Sequence, residues 1–412
     1  MWWLTIPVII YSAGIFVLWL ILRRCSGKAV PDGDGSIRVM AGGSSRRVTV
    51  VVAARNEEKR ITALLESLTA QDYPRDLLEV IIVNDNSTDR TPIIVSEFIR
   101  REGAALNIRL IYSLMNGKKN AIRQGVLKAA GELIITTDAD CTVGPGWVSA
   151  HAAAYEPLGG HTHAEAYEPS AGNAEAVTYE PMGKRTQVAV CEAGSADMLV
   201  GEVYQGPARG FVSLFGMLEF SALQAISESA VVAGRPVMCS AANMSFRRET
   251  YLRQAGELRP DIPSGDDMFL LHAVIRAGGV IRYAGSSAAA VETASAVTTA
   301  ALLRQRARWA SKSFHYSNAA TLTLAAATAA CNTAVTAAAA AAVISPGHIP
   351  LLATLYGIKV LPDYLIIAHN IKKRDGKMPL ITFLLSELIY PFYFMTVAII
   401  SLFPSSRRFA QR

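Results

Sequence analysis

The 412-residue chain has few cysteines, and those it has are scattered along its length. There are five of them, no two stand in a CxxC pair, and their number is odd. This pattern excludes a disulfide framework or a cysteine-rich zinc module, and it favours reduced thiols in the cytosol. They are Cys25, Cys141, Cys191, Cys239 and Cys331.

Two further signals are missing. No GxGxxG motif follows the first apolar strand, where the sequence reads "AARNEE", and this argues against a dinucleotide-binding oxidoreductase. No soluble segment combines clustered basic residues with aromatic ones, so the net charge of +6 does not indicate a nucleic-acid-binding surface. Most of the lysine and arginine residues behind this net charge flank apolar segments.

Charge is absent from residues 2–22, "WWLTIPVIIYSAGIFVLWLIL", a run long enough to cross a bilayer. Arg23 and Arg24 follow at once, and two tryptophans stand at the opposite end. We expect residues 1–24 to be a retained transmembrane anchor with the chain continuing into the cytoplasm. A cleavable signal peptide is the alternative, but its positive charge would precede a shorter apolar core.

The C-terminal quarter, residues 317–403, is apolar again. Lys359 and Asp363 stand four apart within it and can pair on a helix. Glu387 and Pro391 interrupt the last segment, which predicts a kinked or re-entrant helix. The three candidate membrane segments cover residues 317–346, 350–370 and 378–403.

The charges around these segments conflict with four full crossings. The basic stretch 372–377 and the basic tail 404–412 are both typical of cytoplasmic segments. Four crossings from an external N-terminus would place the tail outside. We therefore predict that one C-terminal segment does not span the membrane. The expected location is the cell membrane, with several segments inserted and the central domain cytoplasmic.

Residues 47–315 form the central domain, after a linker rich in glycine, serine and aspartate at 25–46. Wholly apolar strands alternate with helical patterns in this domain. Such alternation predicts an α/β fold with a mostly parallel sheet covered on both faces. The ligand of such a sheet lies beyond the carboxyl ends of the strands. The predicted strands lie in "VTVVVAARNEE", "LEVIIVNDNSTD", "NIRLIYS" and "GELIITTDAD".

Three of these strands end in polar clusters, at residues 55–57, 84–87 and 138–140. A single aspartate there would be read as a turn former. Asp138 and Asp140 are two apart, so both can face the same side of the strand. Their charges repel each other unless a cation lies between them. Oxygen ligands of this kind suit Mg²⁺ or Mn²⁺, with diphosphate oxygens completing the shell.

One segment, residues 155–181, interrupts the domain with three copies of Tyr-Glu-Pro at a period of twelve. Each copy holds a proline, which disfavours the interior of a helix. His161 and His163 within it form an HxH pair without a third ligand nearby. We expect a surface loop without a catalytic role.

These strand ends, together with "SAANMSFRRE" (240–249), "SGDDMF" (264–269) and "QRARW" (305–309), resemble the membrane-bound branch of the family 2 inverting glycosyltransferases. That branch has a GT-A fold and includes cellulose and hyaluronan synthases and ceramide glucosyltransferase. The resemblance covers roughly residues 45–315 apart from the repeat. A DxD pair alone is a weak signal, whereas DxD, an acidic pair and QxxRW before membrane segments form a specific combination.

The resemblance implies a role for each matching side chain, with a nucleotide sugar as donor, a lipid or saccharide as acceptor and a divalent cation as cofactor. Asp267 is implied as the general base, and Asp266 as its supporting neighbour. The nucleotide sugar would be bound by Glu57, Asp85, Lys118, Asp138, Gln305, Arg308 and Trp309. The cation would be bound by Asp138 and Asp140.

The chain departs from the family pattern at two places. Asp266 stands where the family usually has glutamate, and Asn84-Asp85-Asn86 stands where it often has Asp-Asp-Gly. Simpler roles also stay open. The acidic pair can cap the following helix, and Arg308 and Trp309 can flank a membrane segment.

Within this resemblance, two activities stay open, namely single or limited addition to a lipid or lipid-linked acceptor and processive polysaccharide synthesis. The few C-terminal segments favour limited addition. A non-catalytic membrane scaffold is the remaining alternative.

Overall fold

The computed structural model describes residues 1–26, 46–102, 107–155, 196–259, 262 and 265–403. The HxH pair, most of the Tyr-Glu-Pro repeat, most of the linker and the basic tail lie outside these ranges. The division of the chain into an anchor, a linker, a central domain and membrane segments stays a prediction.

The central part alternates strands and helices, as the sequence predicts. Its strands are β1 (Val48–Ala54), β2 (Leu78–Asn84), β3 (Asn107–Tyr112), β4 (Leu133–Asp138), β5 (Cys141–Val143), β6 (Met198–Gly201), β7 (Val203–Gln205), β8 (Met244–Arg247), β9 (Ile281–Ala284) and β10 (Val291–Thr293). The α-helices of the whole chain are α1 (Thr5–Ser26), α2 (Ile61–Thr69), α3 (Thr91–Glu102), α4 (Lys118–Lys128), α5 (Trp147–Ala154), α6 (Gly210–Val232), α7 (Arg248–Arg253), α8 (Asp266–Arg276), α9 (Thr299–Ser313), α10 (Ala319–Ile344), α11 (Ile349–Lys372) and α12 (Leu380–Leu402).

Seven strands form the main sheet in the order β3-β2-β1-β4-β8-β6-β9. The first four are parallel, β8 runs antiparallel to both of its neighbours, and β6 and β9 are parallel. The predicted mostly parallel α/β sheet is therefore confirmed. The antiparallel insertion of β8 was not predicted.

The register of the parallel strands brings their carboxyl ends together. Ala54 at the end of β1 pairs with Asn84 at the end of β2, and Ala53 pairs with Asp138 at the end of β4. The polar residues that follow each strand therefore emerge at one edge of the sheet, as predicted.

Helices pack on both faces of the sheet through apolar stripes. In α2 the residues at helical spacing, Ile61, Leu64, Leu65 and Leu68, are fully buried. On the other face, α4 approaches β1 so closely at Gly125 that an added Cβ would lie 2.3 Å from Val51 Cγ1. A residue larger than glycine would push α4, and the lysine at its start, away from the sheet.

A smaller sheet, in the order β5-β10-β7, lies beside the main one. Asn243, which is fully buried, joins the two through its side chain. Its Nδ2 donates to the carbonyl oxygens of Glu202 and Ala289, both at 2.7 Å, and its Oδ1 accepts from Trp147 Nε1 at 3.1 Å. Burial lowers the pKa of the adjoining His151 to about 4, so its ring is neutral at pH 7.

Within the described residues, five helices are long and apolar enough to cross a membrane by length and composition. Four of them correspond to the segments predicted from the sequence. The fifth, α6, was not predicted. The five candidates are Trp2–Cys25, Gly210–Val232, Ala319–Ile344, Pro346–Lys372 and Leu380–Leu402.

A buried charged cluster joins three of these helices. Lys359 Nζ in α11 lies 2.6 Å from Asp363 Oδ2 and 2.5 Å from Glu387 Oε2 in α12. Tyr11 of α1 donates to Asp363 Oδ1 at 2.9 Å. The predicted pairing of Lys359 with Asp363 is confirmed, and Glu387 proves to be its third member.

Replacing Lys359 with methionine should strongly destabilise the helical bundle. It would leave two buried carboxylates without their cation, which costs on the order of 3–5 kcal/mol. The thermal unfolding temperature of the detergent-solubilised protein should fall. The triple variant that adds Asp363→Asn and Glu387→Gln removes the unpaired charges and should recover most of the loss. An unchanged unfolding temperature in Lys359→Met would contradict this role.

Candidate active site

The first part of the site lies just beyond β1. Glu57 follows the strand, and Arg60, three residues later, places its Nε 3.4 Å from Glu57 Oε2. The same guanidinium donates from Nη1 to Asp140 Oδ2 at 3.1 Å. Burial raises the pKa of Glu57 to about 7; Arg60 opposes the shift, and Asp140 and Asp138 add to it. Arg60 therefore balances two carboxylates that come from different strand ends.

The second part is an ion pair between Lys118, at the start of α4, and Asp138 Oδ1. Burial opposes the charge of Lys118, but the carboxylates of Asp138, Asp266 and Asp267 outweigh it and raise the lysine's pKa. Lys118 therefore stays protonated and sits between the two acidic pairs.

Asp85 has a positioning contact. Its side chain is buried, and Oδ1 accepts a 2.7 Å hydrogen bond from the backbone N–H of Gly117. Gly117 has φ 109°, a conformation that L side chains rarely adopt. Asp85 thus fixes the turn that delivers Lys118 to Asp138. The contact with a nucleotide base or ribose stays a prediction.

The acidic pair occupies the first turn of α8, after Gly265 in the left-handed region at φ 89°. Asp267 is partly exposed; its Oδ1 accepts from Met268 N at 2.8 Å and its Oδ2 from Ala241 N at 3.3 Å. Asp266 is buried, and its Oδ2 has no hydrogen-bond partner among the described residues. Burial raises the pKa of Asp266, Lys118 opposes the shift, and Asp267 adds to it. Asp267 is therefore the more accessible carboxylate of the two.

The QxxRW residues lie on α9. The side chain of Arg306, inside the motif, orders its neighbours: Nη1 donates to Gln305 Oε1 at 2.7 Å, and the guanidinium carbon lies 4.2 Å from the centre of the Trp309 ring. Arg306 is itself held by Glu219 of α6, with Nε 2.9 Å from Oε2. This ion pair connects the QxxRW motif on α9 to α6, which lies far from it in the sequence.

One cavity of about 580 Å³ brings most of these groups together. Glu57 and Asp85 lie at the same edge of the sheet but do not line it. The predicted site residues that line the cavity are Lys118, Asp138, Asp140, Asp266, Asp267, Gln305, Arg308 and Trp309.

The two aspartates of β4 and its end fit a divalent cation. Both are partly exposed, at 34% for the side chain of Asp138 and 29% for that of Asp140. Burial, and then the charge of Asp138, raises the pKa of Asp140, a repulsion that a cation would relieve. Among the described residues, no group of three or more His, Cys, Asp or Glu side chains could hold a metal ion by itself. Further ligands would have to come from a bound diphosphate.

Sequence reasoning missed several residues of the site. Arg60 and Lys312 balance the carboxylates, and neither belongs to a motif. Burial lowers the pKa of Lys312, although the neighbouring Asp267 and Asp266 favour its charge. Glu219 could have been noticed as a lone charge in an apolar stretch.

Two family models match the chain. "Glycosyl transferase family 2" matches residues 49–160, and "Glycosyl transferase family group 2" matches residues 185–403, which is more than half of the chain. The first match holds the strand ends with Glu57, Asp85, Asp138 and Asp140. The second holds the acidic pair, QxxRW and the C-terminal helices.

Named relatives match over a short stretch. The beta-monoglucosyldiacylglycerol synthase of Nostoc sp. is 38% identical over 101 residues, which is 24% of this chain and 22% of that protein. The human dolichyl-phosphate beta-glucosyltransferase is 34% identical over 103 residues, 23% of this chain and 32% of that protein. The match thus spans less than a third of the length of either relative.

A solved structure shares the fold over most of the chain. The mannosyltransferase PcManGT from Pyrobaculum calidifontis, in complex with GDP-Man and Mn²⁺, aligns with a TM-score of 0.53 at 20% identity. The alignment covers 91% of this chain and 100% of that one. With the fold and both family models in agreement, the chain belongs to the family 2 glycosyltransferases.

Proposed function

We propose that this protein is a membrane-anchored inverting glycosyltransferase that transfers a sugar from a nucleotide sugar, in our expectation a UDP-sugar, to a lipid, lipid-linked or saccharide acceptor. One observation carries the proposal. A single cavity is lined by the carboxylates of Asp138 and Asp140, by the accessible carboxylate of Asp267, and by the side chains of QxxRW. Those groups match the needs of a sugar transfer.

In the proposed reaction, the acceptor hydroxyl attacks the anomeric carbon of the donor sugar. The bond to the acceptor oxygen forms as the bond to the diphosphate oxygen breaks, and the configuration inverts. The hydroxyl proton passes to the carboxylate of Asp267, a residue that lines the cavity. Asp266 also lines the cavity but is the more buried of the two, and we assign it the role of supporting neighbour.

The leaving nucleoside diphosphate gains negative charge, which cationic groups must offset. Arg308 lines the cavity and is the candidate within QxxRW. Asp138 and Asp140 would hold Mg²⁺ or Mn²⁺, which would supply further positive charge beside the diphosphate. Lys118 keeps Asp138 oriented through its ion pair. Glu57 and Asp85 are proposed to face the base and ribose.

Assaying a panel of nucleotide sugars with a membrane lipid extract would test the activity directly. Sugar incorporation into extractable lipid supports the proposal. A chain that binds nucleotide sugars but never transfers the sugar would instead fit a scaffold.

We also infer how the chain lies in the membrane. Helix α6 does not cross, because β6 precedes it and β8 follows it in the same sheet. The basic loop after α11 lies at the central domain, since Lys373 Nζ lies 2.9 Å from Glu228 Oε1 and Arg374 Nε lies 3.1 Å from Glu202 Oε1. Helices α1, α10 and α11 then cross, and the central domain is cytoplasmic by the positive-inside rule.

Helix α12 is proposed to return towards the domain. Its Tyr393 OH donates to Glu219 Oε2 at 3.1 Å, and Phe394 and Val397 line the same cavity as Trp309. A full crossing would carry this half of the helix away from α9. The basic tail would then stay cytoplasmic, which resolves the conflict seen in the sequence.

Reporter fusions test this topology. Alkaline phosphatase fused after residue 347, between α10 and α11, should be active because it is external. The same reporter at the C-terminus should be inactive, whereas a fluorescent protein there should fold. An active phosphatase at the C-terminus would mean that α12 crosses fully.

The two aspartates should make nucleotide binding depend on a divalent cation, because bare carboxylates repel a diphosphate. The affinity for UDP, measured by calorimetry with Mn²⁺ or Mg²⁺, should fall by roughly tenfold or more in EDTA or in Asp140→Asn. Glu132→Gln, at the opposite end of β4, is the matched control and should bind UDP normally. Equal affinity with and without the cation would refute the cation's role.

Asp267→Asn should separate binding from chemistry. The amide keeps the size of the side chain and one acceptor oxygen for the 2.8 Å bond from Met268 N, but it cannot take a proton. Transfer at saturating nucleotide sugar should fall by roughly 10²–10⁴-fold, the usual worth of a positioned base, with UDP affinity retained.

Asp266→Asn is the control for its neighbour and should reduce turnover less. Weakened UDP binding with intact turnover in Asp267→Asn would assign that residue to the donor site. Complete loss of turnover in Asp266→Asn alone would transfer the role of base to Asp266.

A further inference from the structure

The cavity that holds the catalytic carboxylates continues into the helical bundle. Many apolar side chains line this part of the cavity, and they come from all five helices that are long enough to cross a membrane. Ile15, Leu218, Ile366 and Phe383 are examples from α1, α6, α11 and α12. A molecule that fills the whole cavity therefore has an apolar part among these helices and a reacting part near Asp267.

Two buried polar atoms beside this passage have no hydrogen-bond partner among the described residues. They are Gln205 Oε1 and Arg306 Nη2, on side chains of residues that are 9% and 4% exposed, and both residues line the cavity. Arg306 uses its other two nitrogens on Glu219 and Gln305. Buried polar atoms are nearly always paired, because an unpaired one costs about 1–3 kcal/mol.

The two side chains approach the same stretch of α6. A Cβ added at Gly216 of α6 would lie 3.7 Å from Gln205 Oε1 and 3.4 Å from Leu302 Cδ1 of α9. One turn further along these helices, Glu219 and Arg306 form their ion pair. The two side chains therefore approach α6 about one helical turn apart.

The chemistry of this pair selects hydroxyl groups. Gln205 Oε1 can only accept a hydrogen bond and Arg306 Nη2 can only donate one, while a hydroxyl does both. A polyol or sugar head group, or a glycerol backbone with a free hydroxyl, offers both a donor and an acceptor.

The charges of this part of the cavity disfavour an anionic head group. Arg306 and Lys359 face the three carboxylates of Glu219, Asp363 and Glu387, and each cation is already in an ion pair with them. When all five groups are ionised, their charges sum to −1. A phosphate brought here would be desolvated beside excess negative charge with both of these cations already paired.

We propose that Gln205 and Arg306 bind the head group of the acceptor, and that the acceptor is an uncharged, hydroxyl-bearing membrane lipid of the acylglycerol or glycolipid class. This inference rests on the proposed function, since it names the substrate class of the same cavity. The apolar walls hold the chains of the lipid, and the attacking hydroxyl lies towards Asp267.

The full-length protein in phosphatidylcholine vesicles can be tested with four acceptors and a panel of nucleotide sugars. The acceptors are dioleoylglycerol, a monohexosyl-dioleoylglycerol, a polyprenyl phosphate and soluble methyl hexoside. Transfer to either uncharged lipid, at least tenfold faster than to the other two, supports the proposal. Faster transfer to the polyprenyl phosphate or to the soluble hexoside overturns it.

Variants locate the binding site. Gln205→Leu removes the amide at similar size, and Arg306→Lys keeps the charge facing Glu219 but loses Nη2. Each should raise KM for the uncharged lipid roughly 5- to 30-fold or more, as expected for one lost hydrogen bond. Gln205→Leu should leave UDP affinity unchanged, whereas Arg306→Lys also loses the contacts that order Gln305 and Trp309. Gln254→Leu, outside the cavity, is the control and should behave as wild type. An unchanged lipid KM in both folded variants overturns the assignment.

A nucleotide-binding measurement distinguishes failure of the proposed function from failure of the proposed acceptor class. A chain that binds no nucleotide sugar overturns the proposed function and this inference together. If the chain binds the nucleotide sugar but transfers the sugar to neither uncharged lipid, only the proposed acceptor class is overturned.

Discussion

The parallel pairing of β1 with both β2 and β4 is the constraint on which the site depends. Parallel strands point their carboxyl ends the same way, so carboxylates distant in sequence gather at one edge of the sheet. Such a concentration of negative charge is unfavourable unless cations balance it. Arg60 and Lys118 provide this balance between the strand ends, while burial, and then the neighbouring carboxylates, raise the pKa of Glu57 and Asp140. The remaining imbalance gives this edge its affinity for a divalent cation in the proposed function.

A second set of polar contacts fixes the site to the helical bundle. Arg306 bonds to Gln305, stacks on Trp309 and pairs with Glu219, which in turn accepts from Tyr393 of α12. Arg306 is buried and its partners are half-buried, and a hydrogen bond in such surroundings is stronger than in water. A movement of α6 or α12 would therefore displace QxxRW. Gln205 and Arg306 line the same cavity as Asp267.

Much of the fold could be predicted from the local spacing of apolar and polar residues. Apolar runs ending in polar clusters predicted β1, β2 and β4, and helical spacing at Ile61, Leu64, Leu65 and Leu68 predicted α2. The spacing of Lys359 and Asp363 predicted their ion pair, because residues four apart face each other on a helix. Glu387 could not be added, since its distance from Lys359 depends on how α11 and α12 pack. The assembly of Asp266 and Asp267 with Asp138 and Asp140 rested on family resemblance, and it was not derivable from spacing.

The sequence by itself determined which segments are strands, which helices are apolar and where carboxylates follow strands, because these features depend on periodicity and composition within a few residues. Only the tertiary structure decided which carboxylate is accessible and which is buried. It also decided that Asp85 holds Gly117, that Arg306 has one unbonded nitrogen beside the passage, and that α12 packs back on α9. Each of these depends on contacts between segments tens to hundreds of residues apart. No local pattern encodes such contacts, because burial and hydrogen bonding follow from how whole elements pack.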